Sequence, residues 1–335
     1  MDGERVVVWG VALCCLLAAT YALAVGSAGF SVFGVGERPP AECAPSDTAL
    51  APNWTDWSDP EPLPGLYDPV LFVEPEREHP YRLLVGDADG MMDLYASRDF
   101  DSWTRVAADL EGPERASNFN WGRKVAGVYY LFRTVEEERT ELWTGRSLTD
   151  LTNRGVVLEE RDSGGFYDPE TGTWHLYYER DIGERAEGEG PENGDALGHA
   201  VSTDALHWDR QAVALDVRER GWHTGDPDVV RVDGRYYLFV DETTEHPRYH
   251  VQVAVSDTLD SFVPVGRVTD ACGGDPVVRY LPERGEFVML TEYSGPDIRG
   301  VGARFSAGPG PGPYELDGRQ DVVRTVGNAT AAPTG

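Results

Sequence analysis

The chain has 335 residues, a formal charge of −29 and one lysine, Lys124, among its 29 basic residues. A field of that sign repels nucleic acid, and no basic, aromatic-interleaved stretch offsets it, so nucleic-acid partners are excluded. The acidic residues are spread along the chain, with Arg kept and Lys nearly absent, which points to salt adaptation rather than to a patch built for one cationic partner.

Val6 to Val25 is a run of 20 uncharged, mostly apolar residues behind Arg5, long enough to span a bilayer. Ala22-Leu23-Ala24 also fits a small-residue cleavage pattern. A signal peptide cut after Ala24 and an uncleaved anchor are therefore both open, and the length of the run favours the anchor. Either one exports the remainder, to the cell surface or to the medium. Residues 1–25 thus read as the membrane segment, 26–52 as a linker, 53–326 as the folded domain and 327–335 as a disordered tail.

Between residues 65 and 316 a unit of about 50 residues recurs five times. Its openings are Tyr67-Asp68-Pro69, Ser117-Asn118-Phe119, Tyr167-Asp168-Pro169, Gly225-Asp226-Pro227 and Gly274-Asp275-Pro276. An aromatic-rich strand follows each, as in Tyr81 to Val85 and Tyr236 to Val240, and a third strand ends near a Ser. From that Ser an aromatic is six residues on: Ser97 to Trp103, Ser202 to Trp208, Ser256 to Phe262. Four strands in each unit of this length predict an all-β, five-bladed β-propeller with four antiparallel strands per blade. The opening residues 68, 118, 168, 226 and 275 are spaced 50, 50, 58 and 49 apart. The long step contains a Gly/Glu/Pro-rich insertion, Asp181 to Asp195, expected as a surface loop of blade three.

Ring closure has several candidates: Trp54 to Ser58 from the N-terminal side, Tyr314-Glu315-Leu316 as blade five's own fourth strand, and Val322 to Val326 as a further edge. A ring brings the chain before blade one close to blade five, so Cys43 and Cys272 are candidates for a disulfide on an exported protein.

In a propeller the first strand of each blade lines the axis, so Asp68, Asn118, Asp168, Asp226 and Asp275 would converge on one funnel. Carboxylates that share a funnel repel one another, which raises their affinity for protons. An Asp-Pro pair alone also forms a turn, but four at equivalent places under aromatic leads (Tyr67, Tyr167, Trp222) point to a site. Trp121 and Trp222 are candidate platforms for a sugar ring, and His223 could bond a sugar hydroxyl. No cofactor is expected, although Asp226 and Asp275 with His223 could hold a structural divalent cation in the channel.

The five blades, the Asp-Pro openings and the Ser-x-Asp-x-x-x-Trp strand ends (Ser97-Arg98-Asp99 to Trp103, Ser202-Thr203-Asp204 to Trp208) resemble the five-bladed glycoside hydrolases. The family 43 arabinanases and xylosidases, with relatives in families 32, 68 and 130, are the nearest in pattern, over residues 60 to 320. The resemblance implies that Asp68 is the general base and that Asp168, opening blade three, orients and tunes. It also implies a general-acid Glu at the blade-four opening, where this chain has Gly225. Replacements for that acid are Asp226, Glu242 and Glu179, the last two at second-strand ends, where blade five has Glu292. The implied function is an exported, inverting, monomeric hydrolase of a glycan, held at the membrane by its N-terminal segment. A non-catalytic carbohydrate-binding propeller is the alternative. A glycoside phosphorylase is a third, resting on Arg115, Arg123 and Lys124. If salt screening relieves the charge repulsion, the thermal midpoint should rise steadily with KCl up to molar concentrations; a flat profile would remove salt adaptation.

Overall fold

The computed structural model describes residues 31–32, 51, 54–87, 91–110, 119–135, 139–182, 194–220, 223–245, 248–268, 273–294, 298–310, 312–316 and 322–324. They form five sheets around one axis, antiparallel within each blade. From the axis outward, blade one comprises Tyr67–Val73, Tyr81–Gly86, Met92–Ser97 and Thr104–Leu110, and blade two comprises Phe119–Val125, Val128–Val135, Arg139–Ser147 and Asp150–Leu158. Blade three comprises Arg161–Asp168, Thr173–Arg180 and Ala196–Ser202, with its fourth strand broken into Asp209–Arg210 and Leu215–Asp216. Blade four comprises Asp228–Val232, Arg235–Glu245, Arg248–Ser256 and Val263–Arg267. Blade five has Gly274–Leu281, Glu286–Ser294 and Ile298–Ser306.

Each sheet is covered on both faces, so successive residues of one strand enter two different cores. Tyr177 packs toward blade four with Leu238 and Val240, whereas its neighbour Tyr178 packs with Leu158 of blade two. The six-residue Ser-to-Trp step has a local cause. Ser97 Oγ accepts from the Phe100 amide at 2.9 Å, and Trp103 Nε1 returns to the Phe100 carbonyl at 3.0 Å. Ser202, Ala205 and Trp208 repeat this at 2.9 and 3.1 Å. Asp99 and Asp204 cap the turn between.

The ring closes on a segment just beyond the expected one. Glu61–Leu63 pairs antiparallel with Val301 to Ala303 and supplies the fourth strand of blade five. Trp54 is instead a wedge between blades four and five: its ring meets Phe239 and Phe287 edge-on, and Nε1 donates to Ser306 Oγ at 2.9 Å. Tyr314–Leu316 does not complete blade five, because that edge is taken. It forms a hairpin with Val322–Arg324, which joins the end of blade four's inner strand in parallel at Val232. Within the expected linker, Ser31–Val32 pairs in parallel with Ile298 and Arg299. The insertion does lie between the second and third strands of blade three, but residues 183–193 are outside the described set, as are Val6 to Val25, Cys43, Cys272 and residues 325–335. Among the described residues no helix is long and apolar enough to cross a membrane.

One buried ion pair ties the blades together at the axis. Asp228, on blade four, accepts from Trp121 Nε1 of blade two at 2.9 Å, from the Val278 amide of blade five at 2.7 Å and from Arg279 at 2.6 Å. Arg279 Nε donates in turn to the Leu71 carbonyl of blade one at 3.2 Å. Blade three approaches by backbone, since a Cβ on Gly164 would lie 1.7 Å from the Pro227 carbonyl oxygen. Removing one partner of a buried pair strands the other charge, so Asp228→Ala should cost about 3–5 kcal/mol. Asp228→Leu with Arg279→Met should cost less than Asp228→Ala alone. Chemical denaturation in high salt reads both, and an Asp228→Ala loss under about 1 kcal/mol would show that the pair is not a keystone.

Candidate functional site

Every inner strand starts with the same irregularity. Tyr67 pairs with Gly86 but Val70 with Leu84; Arg161 pairs with Glu179 but Gly164 with Tyr177; Gly274 pairs with Glu292 but Val277 with Leu290. In blade four the Asp241 amide bonds to the Gly225 carbonyl at 3.0 Å, while Asp228 is opposite Phe239. Blade two slips similarly between Phe119 and Trp121. These are β-bulges, which re-aim a side chain out of the sheet. The re-aimed residues are Asp68, Asp162, Asp226 and Asp275, with φ of 48°, 43°, 46° and 51°, and Asn120 in blade two. Asp tolerates this left-handed backbone better than most residues do.

Two tiers of polar side chains result, acidic except for Asn120 and Arg133 in blade two. The bulged tier is Asp68, Asn120, Asp162, Asp226 and Asp275, all part-exposed. The second tier comes from second-strand ends opposite the bulges: Glu179, Asp241 and Glu292 in blades three, four and five. Blade two has Arg133 at that place, already paired with Glu141 at 2.9 Å. Asp162 is held by blade two: Thr134 Oγ1 donates to its carboxylate at 2.9 Å and accepts its amide at 2.7 Å.

Crowding sets the electrostatics. Burial, then the charge of Asp162, pushes Asp226 up to about 7, although it shares a hydrogen bond with Asp275. Burial and the charge of Asp226 hold Asp275 and Asp241 well above the ordinary carboxylate range, even though Asp241 accepts the Asp275 amide at 2.9 Å. Glu179 is raised likewise by burial and then by Asp162 and Asp226, against the pull of Arg161 at 2.9 Å. The Tyr249 hydroxyl, among Asp241, Asp275 and Asp226, is raised as well and stays a neutral donor.

Two sets of these carboxylates could hold a divalent cation: Asp68, Asp275 and Glu292, or Asp226, Asp241 and Asp275, with oxygens within 4.8 Å of one another in each set. All-oxygen donors suit Ca²⁺ or Mg²⁺. His223 is in neither set and is exposed, so Asp241 takes the place expected for it.

Other expectations shift as well. Asp68, Asp226 and Asp275 are in the funnel. Asp168 is not: it ends the inner strand of blade three at the opposite mouth and caps the following turn, accepting the Glu170 amide at 2.9 Å and the Thr171 hydroxyl at 2.8 Å. Tyr167 goes with it and packs on Trp174 with ring centroids 4.7 Å apart. Trp121 is 3 % exposed, with its N–H bound to Asp228, so it is a wall and not a stacking platform. Tyr67 is at the rim, its hydroxyl bonded to the Asp87 carbonyl. Glu242 is turned to the opposite face of its strand from Asp241 and accepts from Gln252. Asn118 and Trp222 lie outside the described residues, and Asn120 fills the blade-two position. Arg123 and Lys124 line the opposite mouth of the channel, away from the funnel, and Lys124 is bound to Glu74 and Glu76.

A Cβ on Gly225 would lie 2.0 Å from Glu179 Oε1. The carboxyl of Glu179 therefore fills the space that a side chain at residue 225 would enter.

No protein-family model and no curated protein matches this chain. Solved structures do. A thermostable family-43 glycoside hydrolase superposes with a TM-score of 0.54 at 17% identity, over 78% of this chain and 93% of that one. An exo-1,5-α-L-arabinanase from a bovine ruminal metagenomic library gives 0.52 at 13%, over 79% and 97%. An endo-arabinase from Bacteroides thetaiotaomicron gives 0.54 at 16%, over 78% and 98%. At such identities the likeness is one of fold: a five-bladed propeller similar to those of family-43 hydrolases.

The raised Asp226 has a consequence for stability. The folded protein keeps a proton that the unfolded chain, with an ordinary Asp value of 3.8, has released, so this group's contribution is lost as pH rises from about 4 to about 7. His175 and His199 act in the opposite sense, because burial lowers both, His199 to about 4. The test is therefore a difference. Asp226→Asn should gain on the wild type in thermal midpoint between pH 4 and 7, and millimolar Ca²⁺ should narrow the gap. A pH-independent difference would overturn the assignment.

Proposed function

We propose that the protein is an exported, inverting glycoside hydrolase whose general acid comes from blade three. The observation that carries this is the Glu179 carboxyl in front of Gly225, the place where the resemblance to family 43 implies an acid. Glu179 is 4 % exposed and its proton affinity is raised, which suits a group that must be protonated near neutral pH. Asp68, opening blade one, is the base. Asp162, fixed by Thr134, takes the orienting role that the sequence pattern attached to Asp168. In the reaction Asp68 removes a proton from water as the water oxygen bonds to the anomeric carbon, and Glu179 gives its proton to the departing oxygen. The substrate is a neutral glycan, because carboxylates dominate the funnel. Asn120 and the Tyr249 hydroxyl are the donors placed to meet sugar hydroxyls. The apolar run Val6 to Val25 is the export or anchoring element, and the protein acts as a monomer at the cell surface.

One observation favours a second reading, a carbohydrate-binding propeller without turnover. Asp68 is in one of the two cation-competent sets, and a cation there would occupy the base.

Hydrolysis of aryl arabinofuranosides, xylosides and galactosides in high salt, with the product anomer followed by NMR, separates the two. Inversion is expected. Asp68→Asn should abolish turnover, and Glu179→Gln should lower it by about 10²–10⁴-fold on substrates with poor leaving groups. Asp168→Asn should stay near wild type. Full activity in Glu179→Gln would refute the acid assignment, and glycan binding without turnover in the wild type would establish the binder.

A further inference from the structure

The position of the Glu179 carboxyl is itself set by a neighbour. Arg161 immediately precedes the bulged Asp162 and pairs across the blade-three hairpin with Glu179. Its Nε is 2.9 Å from Glu179 Oε2 and 3.9 Å from Asp162 Oδ2, and the Arg161 and Glu179 side chains are 12% and 2% exposed. The two Glu179 oxygens therefore differ. Oε2 is engaged by the guanidinium, and Oε1 is the oxygen 2.0 Å from the Cβ position of residue 225. Among the described residues Arg161 is the positive charge that acts most strongly on Glu179, against the negative Asp162, Asp226 and Asp241, with the Tyr249 hydroxyl close by.

We infer that Arg161 is the positioning residue of the acid: it anchors Glu179 Oε2, turns Oε1 toward the blade-four opening, and stabilises the carboxylate that forms when the proton leaves. This rests on the hydrolase reading above. As the glycosidic C–O bond breaks, its electron pair stays with the leaving oxygen, which takes the proton from Glu179 Oε1. Negative charge then appears on Glu179 beside a guanidinium that is already in place, so the stabilisation is realised in the transition state and requires no rearrangement. Without Arg161 that charge would form facing the negative Asp162, Asp226 and Asp241.

A role through the acid has a signature that a scaffold role lacks. A leaving group that departs as a stable anion needs little protonation, whereas a sugar hydroxyl needs it fully. The experiment compares Arg161→Met, Arg161→Lys and wild type on 2,4-dinitrophenyl glycosides and on unactivated oligosaccharides of the same sugar. Arg161→Met should lose kcat at least ~10-fold more on the oligosaccharide than on the dinitrophenyl substrate. KM should move little, and Arg161→Lys should recover part of the loss. Equal losses on both substrates would overturn the inference and leave the hydrolase reading standing. A readout free of turnover covers the case in which the wild type hydrolyses neither substrate. In protein with ¹³C-labelled Glu carboxyls, the Glu179 titration midpoint should rise by about one unit or more in Arg161→Met, since an opposite charge at hydrogen-bond distance favours the ionised form. An unchanged midpoint would sink the inference on its own.

Discussion

The constraint on which the rest of this molecule depends is the ion pair at its axis. Five twisted sheets can pack side by side through apolar faces, but apolar packing is tolerant of small rotations, and a funnel built from five strand ends is not. Asp228 and Arg279 convert five adjacent sheets into one object by spending a buried charge on four blades at once. Gly164 lets the fifth come in by backbone. Just beyond this tie each inner strand breaks register, so the bulged residues project from a fixed floor. Above it Glu179, Asp226, Asp241 and Asp275 are raised in proton affinity, first because they are buried and then because the floor brings their charges close.

The period of about 50 residues made the propeller legible, and the Ser-to-Trp step is a hydrogen-bonded turn that recurs with little change. The site was legible only where Pro follows the bulged acid, at Asp68, Asp226 and Asp275. In blade three the acid is Asp162, followed by Ser163, while an Asp-Pro pair stands six residues later at the other end of the same strand. What the position demands is a left-handed backbone and a bulge; Pro accompanies both but is not required by either. A better signal was present in Arg161-Asp162-Ser163-Gly164-Gly165. A Cβ at either glycine would strike backbone, the Pro227 carbonyl oxygen for Gly164 and the His175 carbonyl oxygen for Gly165. The Glu242 expectation missed by one residue for a different reason. Blade strands are buried on both faces and read as continuous apolar runs, so alternation does not reveal which end residue turns to the axis. The partner of Gly225 decides it, and that is Asp241.

The acid pattern also shows how a propeller can fill one point of its funnel from either of two blades. Residue 225 and residue 179 reach one point from different blades, and the space between them admits one carboxyl. A glycine on one side is therefore informative about an acid on the other, a relation that follows from shape and that no single stretch of sequence contains.

Closure of the ring has a consequence for how the protein is made. Trp54 and Ser306 are bonded across 252 positions of the chain, and Glu61–Leu63 has no sheet to join until Ile298–Ser306 exists. A strand made early must wait, unpaired, for one made late. Contacts of such sequence separation slow folding, because the loop must be closed before the contact rewards it. By the same logic the finished ring has few places to start coming apart: the blade that would fray first is clasped by a strand from the far end of the chain. Slow to assemble and slow to open, the protein should persist through the height of its unfolding barrier.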